Sequence, residues 1–203
     1  MRYTGPKAKL SRSLGIALTP KAARVMERRP HPPGQHGVEQ RGARPRRVSD
    51  YKRQLIEKQR LRAQYDIHER QMRNYFRKAS QRSGNTTENL IHELETRLDA
   101  VVLRGGLAPT IYAARQFVSH GHILVNDRRV TYPGYVIRPN DVVSVKASGR
   151  NIPALVEAVE NGAPPPYLEL NKDAMAVTLR YLPAREEVPV ICDLSQVVEF
   201  YSR

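Results

Sequence analysis

The sequence contains no tryptophan, and aromatic residues make up only 6% of the chain. Any hydrophobic core must therefore be modest and largely aliphatic. Cys192 is the single cysteine, which excludes a disulfide framework and is typical of proteins in a reducing cytoplasm. No apolar run approaches the roughly 18 residues of a membrane span, and the N-terminus lacks the apolar stretch of a signal peptide. Secretion and membrane insertion are therefore not expected.

Acidic residues are also scarce, since 20 Asp and Glu stand against 34 Lys and Arg, a net charge of +14. The imbalance lies in residues 1–88, with 22 basic and 7 acidic residues, whereas residues 89–203 have 12 and 13. This asymmetry is typical of a scaffold that carries an anion-binding region. Arginine outnumbers lysine about threefold, which favours phosphate contacts because a planar guanidinium can bind two phosphate oxygens. A polyanion, most simply an RNA, is the expected partner.

Residues 1–47 show little hydrophobic periodicity and contain 12 basic residues, 6 Pro and 5 Gly. Such a segment buries too little apolar surface to offset the entropy of ordering its backbone. We expect an extended basic arm, which is either a disordered tail or a segment that becomes ordered on RNA. The stiff Pro- and Gly-rich run 28–37 favours the second reading, with no order expected in the isolated protein. Its candidate RNA-binding residues are Lys9, Arg12, Arg24, Arg28, Arg29, Gln35, His36, Arg41, Arg44, Arg46 and Arg47.

Two basic helices are predicted next, at about 50–65 and 68–82. Ser49 is a suitable N-cap for the first, whose candidate RNA-binding residues are Tyr51, Lys52, Arg53, Lys58, Arg60 and Arg62. The second has a core face made of Met72, Tyr75, Phe76 and Ala79. A separate stripe on this helix consists of Arg70, Arg73 and Arg77, without the glutamates that a merely solvated face would carry. Tyr51, Tyr65 and Tyr75 could stack on bases, although core packing is favoured for Tyr75.

The rest of the chain alternates between helical and strand patterns. Helices are predicted at 88–104, 110–119 and 154–161, and a terminal helix begins after Asp193. Strands are predicted at 122–126, 129–131 and 141–146 and around 177–181, with a turn at Asn126-Asp127. The fold class is therefore α+β, with a small antiparallel sheet. No phosphate-binding glycine loop, metalloprotease motif or nucleophile elbow occurs, and Cys192 lies in an apolar run that favours an inert thiol. The chain is not expected to be an enzyme.

Two stretches, 98–104 (LDAVVLR) and 114–126 (ARQFVSHGHILVN), resemble the signature of the bacterial small-subunit ribosomal protein four family. They correspond to its αL-type RNA-binding module, which also occurs in RNA-modifying enzymes and tyrosyl-tRNA synthetases. More specific resemblances to the ribosomal family lie at 33–37 (PGQHG), 49–51 (SDY), 57–59 (EKQ), 69–71 (ERQ) and 199–203 (EFYSR).

This resemblance implies a cytoplasmic protein of the small ribosomal subunit. It would bind the 5′ domain of 16S rRNA early, nucleate assembly of the subunit body and contact small-subunit protein five. With proteins five and twelve it would influence translational accuracy, and it would help to line the channel through which mRNA enters, near Arg44, Arg46 and Arg47. The implied domains are an arm at 1–47, a helical domain at 48–92 with 193–203, and the αL module at 93–192. The terminal helix would pack back on the helical domain.

Within the αL module the side chains expected to face RNA are Arg97, Arg104, Arg115, His120, His122, Arg128 and Arg129. Arg97 and Arg104 could instead form ion pairs with Glu93 or Glu95. The mixed charges of Arg185, Glu186, Glu187 and Glu199 suit a protein interface better than RNA.

Some members of the family carry four zinc-binding cysteines in the arm. Ala8 and Ser11 stand in place of the first pair, the stretch 19–26 has no cysteine, and only His31 and His36 are nearby. No metal site or other cofactor is expected. Two other functions compete with the ribosomal one: an RNA-modifying enzyme targeted by the αL module, and a free-standing nucleic-acid chaperone or nucleoid protein.

Overall fold

The computed structural model describes residues 3–34, 37 and 48–202, which form two compact units. The first consists of the described parts of Met1–Phe76 and Val190–Arg203, and the second is Arg77–Pro189. Residues 77–92 thus lie in the second unit. The three domain limits suggested by the resemblance stay a prediction.

The first unit begins with two short helices, α1 (Lys7–Leu14) and α2 (Pro20–Arg28). Helix α1 ends at Gly15, whose left-handed backbone (φ 70°) caps it, and Thr19 caps α2 by accepting a hydrogen bond from the Ala22 amide. The two helices pack on each other and α1 packs on the next helix. The prediction of an extended arm is therefore wrong for residues 3–34, because the few apolar side chains there share a core with a later helix.

The helical core of this unit is built from α3 (Asp50–Gln64), the first part of α4 (Glu69–Gln81) and α9 (Leu194–Ser202). Ser49 caps α3 as predicted, since its hydroxyl accepts from the Lys52 amide. Helix α9 packs along α3, which confirms the predicted return of the terminal helix.

The second unit contains α5 (Thr86–Glu95), α6 (Leu98–Arg104) and α7 (Ile111–Ser119), followed by a sheet and α8 (Pro153–Glu160). One helix was predicted over 88–104, but the helix is interrupted at Arg97, which has an extended backbone. The break occurs because the amides of Leu98 and Asp99 donate to the carbonyls of Tyr135 and Pro133, at 2.8 and 3.1 Å. A distant loop thus replaces helical hydrogen bonds that the local sequence would have formed.

The antiparallel sheet has the strand order β2-β1-β3-β5-β4, formed by β1 (Ile123–Val125), β2 (Arg128–Arg129), β3 (Val142–Val145), β4 (Leu168–Asn171) and β5 (Ala176–Leu179). Strand β4 was not predicted. The turn between β1 and β2 was, and Asn126 and Asp127 both adopt left-handed backbones (φ 48° and 62°), as a two-residue hairpin requires. Short 3₁₀ turns lie at Ala147–Gly149 and Arg185–Glu187. Within the described ranges no helix is both long and apolar enough to span a bilayer.

Candidate nucleic-acid interface

Helix α4 has two distinct faces, as predicted. Met72 and Ala79 are fully buried, whereas Arg70, Arg73 and Arg77 are exposed. Glu69 lies 3.8 Å from Arg73 Nε, and within the described residues Arg70 and Arg77 form no ion pair. Seven residues of helix separate the Cα atoms of Arg70 and Arg77 by about 10 Å along the axis. The stripe can therefore contact more than one phosphate of an RNA backbone at once.

The N-terminal helices add further exposed cations. Among the predicted residues, Lys9, Arg24, Arg28 and Arg29 are exposed and, in the described part of the chain, form no ion pair. Arg12 has a different role: its Nε donates to the carbonyls of Arg29 (3.1 Å) and His31 (3.0 Å). Its Nη2 reaches the Pro32 carbonyl at 3.3 Å. Arg12 therefore holds the loop after α2 in place, and its guanidinium is already engaged.

The basic residues of α3 differ in how deeply they are buried. Lys52 is exposed and Arg53 is exposed beside Asp50. Lys58 is 4% exposed, with its Nζ 2.9 Å from Glu69 Oε2 and 4.7 Å from the centre of the Phe200 ring. The prediction that Lys58 contacts RNA is therefore wrong, because the side chain stabilises the packing of α9 instead.

Two further arginines of α3 are half-buried and engaged within the unit. Arg60 donates to the Leu14 carbonyl (2.8 Å) and to Glu57 (2.6 Å), which ties α1 to α3. Arg62 lies 3.4 Å from Glu69. These contacts make Arg60 and Arg62 weaker candidates for RNA binding than the exposed cations around them.

Glu69 is the centre of this network, because it also accepts a hydrogen bond from the Tyr201 hydroxyl at 2.8 Å. Burial alone would raise the pKa of Glu69, but the hydrogen bonds from Lys58 and Tyr201 and the charges of Lys58 and Arg62 lower it below 4.5. The pKa of Tyr201 is raised by burial and by its bond to Glu69. Glu69 is thus an ionised anchor for the terminal helix.

The predicted aromatic residues have different environments. Tyr51 is 53% exposed, with its ring centre 5.8 Å from that of Phe200, so one side remains open for stacking. Tyr65 is 1% exposed and belongs to the core, so it cannot stack on a base. Tyr75 is half-buried.

In the second unit, Arg97 is 1% exposed and makes a two-point ion pair with Asp99, whose side chain is fully buried. Arg97 Nε lies 2.9 Å from Oδ1, and Arg115 Nη1 lies 2.8 Å from Oδ2 of the same carboxylate. The prediction that Arg97 faces RNA is therefore wrong, and its partner is neither of the two glutamates considered. Arg115 is largely buried, with its side chain 14% exposed. Asp99 could have been recognised from the sequence, because it is a carboxylate within the apolar run 98–103 (LDAVVL).

Arg104 follows the alternative prediction of an ion pair. Its Nε lies 3.3 Å from Oε1 of the buried Glu95, whose Oε2 accepts from the Tyr167 hydroxyl at 2.9 Å. Burial, followed by the charge of Glu95, raises the pKa of Tyr167. These side chains join the helices to the strand end near β4, and little of Arg104 is left for RNA.

The β1–β2 hairpin presents two of the predicted RNA-binding arginines at its surface. Arg128 and Arg129 lie on the edge strand of the sheet, are exposed and have no carboxylate partner in the described chain. The Arg129 guanidinium lies directly over Gly121, where a side-chain Cβ would overlap it. Gly121 also has a left-handed backbone (φ 76°). This glycine therefore sets both the end of α7 and the position of Arg129.

The histidines flank the same glycine. His120 is exposed, and the ring of the half-buried His122 is 6.0 Å from that of His120 and 6.5 Å from that of Phe117. His120 is therefore available at the surface, whereas His122 is partly occupied by packing.

Three of the residues predicted for a protein interface lie at 185–187. Glu186 is exposed, Glu187 accepts from the Tyr181 hydroxyl and the Ala184 amide, and Arg185 donates to the Val188 carbonyl. The remaining predicted residues lie outside the described part of the chain: Gln35, His36, Arg41, Arg44, Arg46 and Arg47.

Ser11, which stands in place of one of the zinc-binding cysteines discussed above, stabilises a turn. Ser11 is fully buried, and its hydroxyl accepts a hydrogen bond from the Leu18 amide at 3.2 Å, which closes the turn between α1 and α2. Across residues 3–34, 37 and 48–202, no three His, Cys, Asp or Glu side chains are grouped to hold a metal ion.

Comparison with known proteins places these two units in one family. Residues 2–95 match the Ribosomal protein S4/S9 N-terminal domain, and residues 96–143 match the S4 domain. The small ribosomal subunit protein uS4 of Streptomyces avermitilis is 52% identical over 203 residues, which cover 98% of this chain and 97% of the relative. The proteins of the same name from Thermobifida fusca (44%, covering 100% of both chains) and Geobacillus kaustophilus (45%, 100% and 99%) are also similar. The chain belongs to the uS4 family of ribosomal proteins.

Membership of the uS4 family confirms the resemblance drawn from the sequence, and the α+β fold with its small antiparallel sheet is the predicted one. It also decides between the functional classes. The uS4 relatives bear the name of a ribosomal protein and match along nearly their whole length, so the chain is a ribosomal protein and not an RNA-modifying enzyme.

Proposed function

We propose that this chain is a structural protein of the small ribosomal subunit in the bacterial cytoplasm. It binds the 5′ domain of 16S rRNA directly and early, and nucleates assembly of the subunit body. The observation that carries the proposal is the separation of its cations. The buried Lys58 and Arg97 are ion-paired, whereas the exposed Arg70 and Arg77 on α4 and Arg128 and Arg129 on β2 have no carboxylate partner in the described chain. Unpaired guanidinium groups held on rigid elements suit the phosphates of a folded RNA.

The salt dependence of binding follows from the same cations. If roughly ten phosphates are neutralised, the slope of log K against log salt is about −7 to −9. The test is filter binding of the full chain to the isolated 5′ domain of 16S rRNA, with excess duplex DNA as competitor. Selective binding with a steep slope supports the proposal. Binding that the DNA abolishes contradicts it and favours a general nucleic-acid chaperone.

A second part of the proposal is a contact with small-subunit protein five, through which the chain influences translational accuracy together with protein twelve. A surface cavity of about 440 Å³ in the first unit supports a protein interface there. Its lining consists of Asp50, Arg53, Gln54, Asp193, Ser195, Gln196 and Glu199. Arg53 is ion-paired with Asp50, which leaves the other carboxylates in excess. Acidic residues in so basic a chain suit a cationic protein segment better than RNA.

Two glutamines that line this cavity use their side-chain amide nitrogens in hydrogen bonds with neighbouring carboxylates. Gln54 Nε2 donates to Glu199 at 2.8 Å, and Gln196 Nε2 donates to Asp193 at 3.1 Å. Both amide nitrogens are used by carboxylates, and the two carbonyl oxygens accept no hydrogen bond within the described structure. Both oxygens are buried, so the exposed carboxylates of Asp193 and Glu199 are the groups that a cationic partner could reach. Binding of purified protein five to the full chain should weaken in Glu199→Gln and not in Glu160→Gln, a change at an exposed glutamate outside the predicted interface. Equal binding by the two variants would remove Glu199 from the interface.

The last part concerns mRNA. Arg44, Arg46 and Arg47 are proposed to lie near the channel through which mRNA enters the subunit, as the family resemblance implies. Crosslinking of mRNA to reassembled subunits tests this, and loss of the crosslink in a triple Arg→Gln variant is the expected result.

A further inference from the structure

The loop at 131–138 connects β2 to β3 and exposes large apolar side chains that no contact within its unit explains. Tyr132 is 62% exposed, Tyr135 is 42% exposed and Val136 is 51% exposed. Neither tyrosine hydroxyl forms a hydrogen bond with the described residues. Several large apolar side chains exposed within a few residues of one another mark a binding surface. We call residues 131–138 the tyrosine loop.

The backbone of the tyrosine loop is rigidly attached. Its Pro133 and Tyr135 carbonyls accept from the first amides of α6, and the Ile137 amide donates to the Thr96 carbonyl at 2.7 Å. Within the loop the Tyr135 amide donates to the Tyr132 carbonyl at 3.0 Å. The backbone that carries the two tyrosines is therefore fixed before any partner arrives, which lowers the entropic cost of ordering the loop on binding.

The ring of Tyr132 is also oriented by its neighbour. It lies against Gly134, where an added Cβ would stand 3.1 to 3.2 Å from three of its atoms. The backbone of Gly134 thus supports one side of Tyr132, and the ring stays largely exposed.

The charges around the loop identify the partner. Arg128, Arg129 and Arg138 flank it and are exposed, and no acidic residue lies between positions 128 and 138. Arg129 is three residues from Tyr132, so their Cα atoms are at most about 11 Å apart. The nearest carboxylate on the C-terminal side, Asp141, is occupied by the Asn126 amide group and the Arg138 backbone amide. Arginine beside exposed tyrosine is the combination that binds phosphate and base together.

We propose that the tyrosine loop is a stacking surface for unpaired nucleobases of RNA, with Tyr132 and Tyr135 as its two rings. The flanking arginines bind the phosphates on either side. This inference rests on the proposed RNA-binding function and deepens it, because it names unpaired bases rather than duplex as the target of this part of the second unit.

The test uses two RNA probes, a hairpin with an unpaired loop and a fully paired duplex of equal length, and the full chain throughout. We expect the wild type to prefer the hairpin. The double variant Tyr132→Ala with Tyr135→Ala should bind the hairpin about tenfold or more weakly, with duplex binding and the salt slope unchanged. The variant Tyr132→Phe with Tyr135→Phe should bind normally, since stacking needs the ring and not the hydroxyl.

Tyr181→Ala is the matched control, because Tyr181 is 43% exposed in the same unit but is bonded to Glu187. If the double alanine variant binds the hairpin as tightly as Tyr181→Ala does, the inference is overturned. The loop would then be a surface for binding a protein. The 5′ domain of 16S rRNA, measured in parallel, separates the two claims. Failure of the wild type to select that RNA over DNA contradicts the ribosomal proposal, while the hairpin comparison still decides whether the loop stacks on bases.

Discussion

Asp99 and Arg97 form a two-point ion pair in which neither side chain is more than 1% exposed. The same carboxylate accepts from Arg115 on α7, and the Asp99 amide donates to the Pro133 carbonyl. One residue therefore joins α6, α7 and the tyrosine loop. The surface that carries Arg128, Arg129 and the two exposed tyrosines depends on this buried anion for its shape.

Replacing Asp99 by Asn should reduce the free energy of unfolding by about 3 to 5 kcal/mol, because it leaves buried guanidinium groups without a counterion. Denaturant unfolding of the full chain measures this. The matched control is Glu169→Gln, which breaks an ion pair with Arg180 whose side chains are 55% and 57% exposed. That change should cost less than about 1 kcal/mol. Equal losses in the two variants would refute the role assigned to Asp99.

Glu69 makes the stability of the first unit depend on acid pH. Its pKa in the folded protein lies below the ordinary 4.5, so its contribution is fully present above pH 4.5 and is lost as the pH falls through the lower folded value. Glu69→Gln should therefore be less stable than the wild type at neutral pH, and the difference should shrink in acid. Unfolding measured from pH 7 down to pH 3 tests this, and a difference that grows below pH 4.5 has the wrong sign for this account.

Gly121 should be needed for both stability and RNA binding. In Gly121→Ala the left-handed backbone costs about 1 to 2 kcal/mol, and the new Cβ displaces the Arg129 guanidinium. Gly84→Ala is the control, because Gly84 has a comparable backbone (φ 98°) with no atom within 4 Å of the added Cβ. Both variants should lose stability, but only Gly121→Ala should also bind RNA more weakly. RNA affinity lowered equally in both would remove Arg129 from the interface.

Lys52 and Lys58 lie on the same helix and should give opposite results. Lys52→Gln should lower the magnitude of the salt slope by about 0.7 to 0.9, as expected for one lost phosphate contact, and leave stability unchanged. Lys58→Gln should lower stability, because it removes the partner of Glu69, and leave the slope unchanged. Filter binding across a salt series, together with denaturant unfolding, separates the two effects. A slope change in Lys58→Gln would show that the buried lysine reaches RNA after all.

Local signals in the sequence predicted much of the fold correctly. Ser49 caps a helix that begins where expected, and the Asn126-Asp127 turn forms the predicted hairpin. The two faces of α4 also followed from periodicity. Each of these features is determined by residues within a few positions of one another, which is the range over which a pattern in one sequence is informative.

The errors have a common physical cause in tertiary partners that are distant in sequence. Lys58 is buried by Glu69 and by Phe200, 142 positions away. The helix predicted over 88–104 is interrupted by a loop near residue 135, and α1 is stabilised by Arg60 of α3. Basic residues look alike in a sequence whether they pair with a buried carboxylate or face a phosphate. Only the fold distinguishes the two kinds of basic residue. It shows that Arg97 and Lys58, which were predicted to face phosphates, pair with carboxylates instead.

The most direct test of the account is crosslinking in the protein's own cells followed by sequencing of the bound RNA and mapping of the attached residues. Crosslinks should concentrate at one junction of the 5′ domain of 16S rRNA and should be attached at exposed cations such as Arg70, Arg77 and Arg128. Crosslinks spread over tRNA or many messages, or attached mainly outside these surfaces, would contradict it.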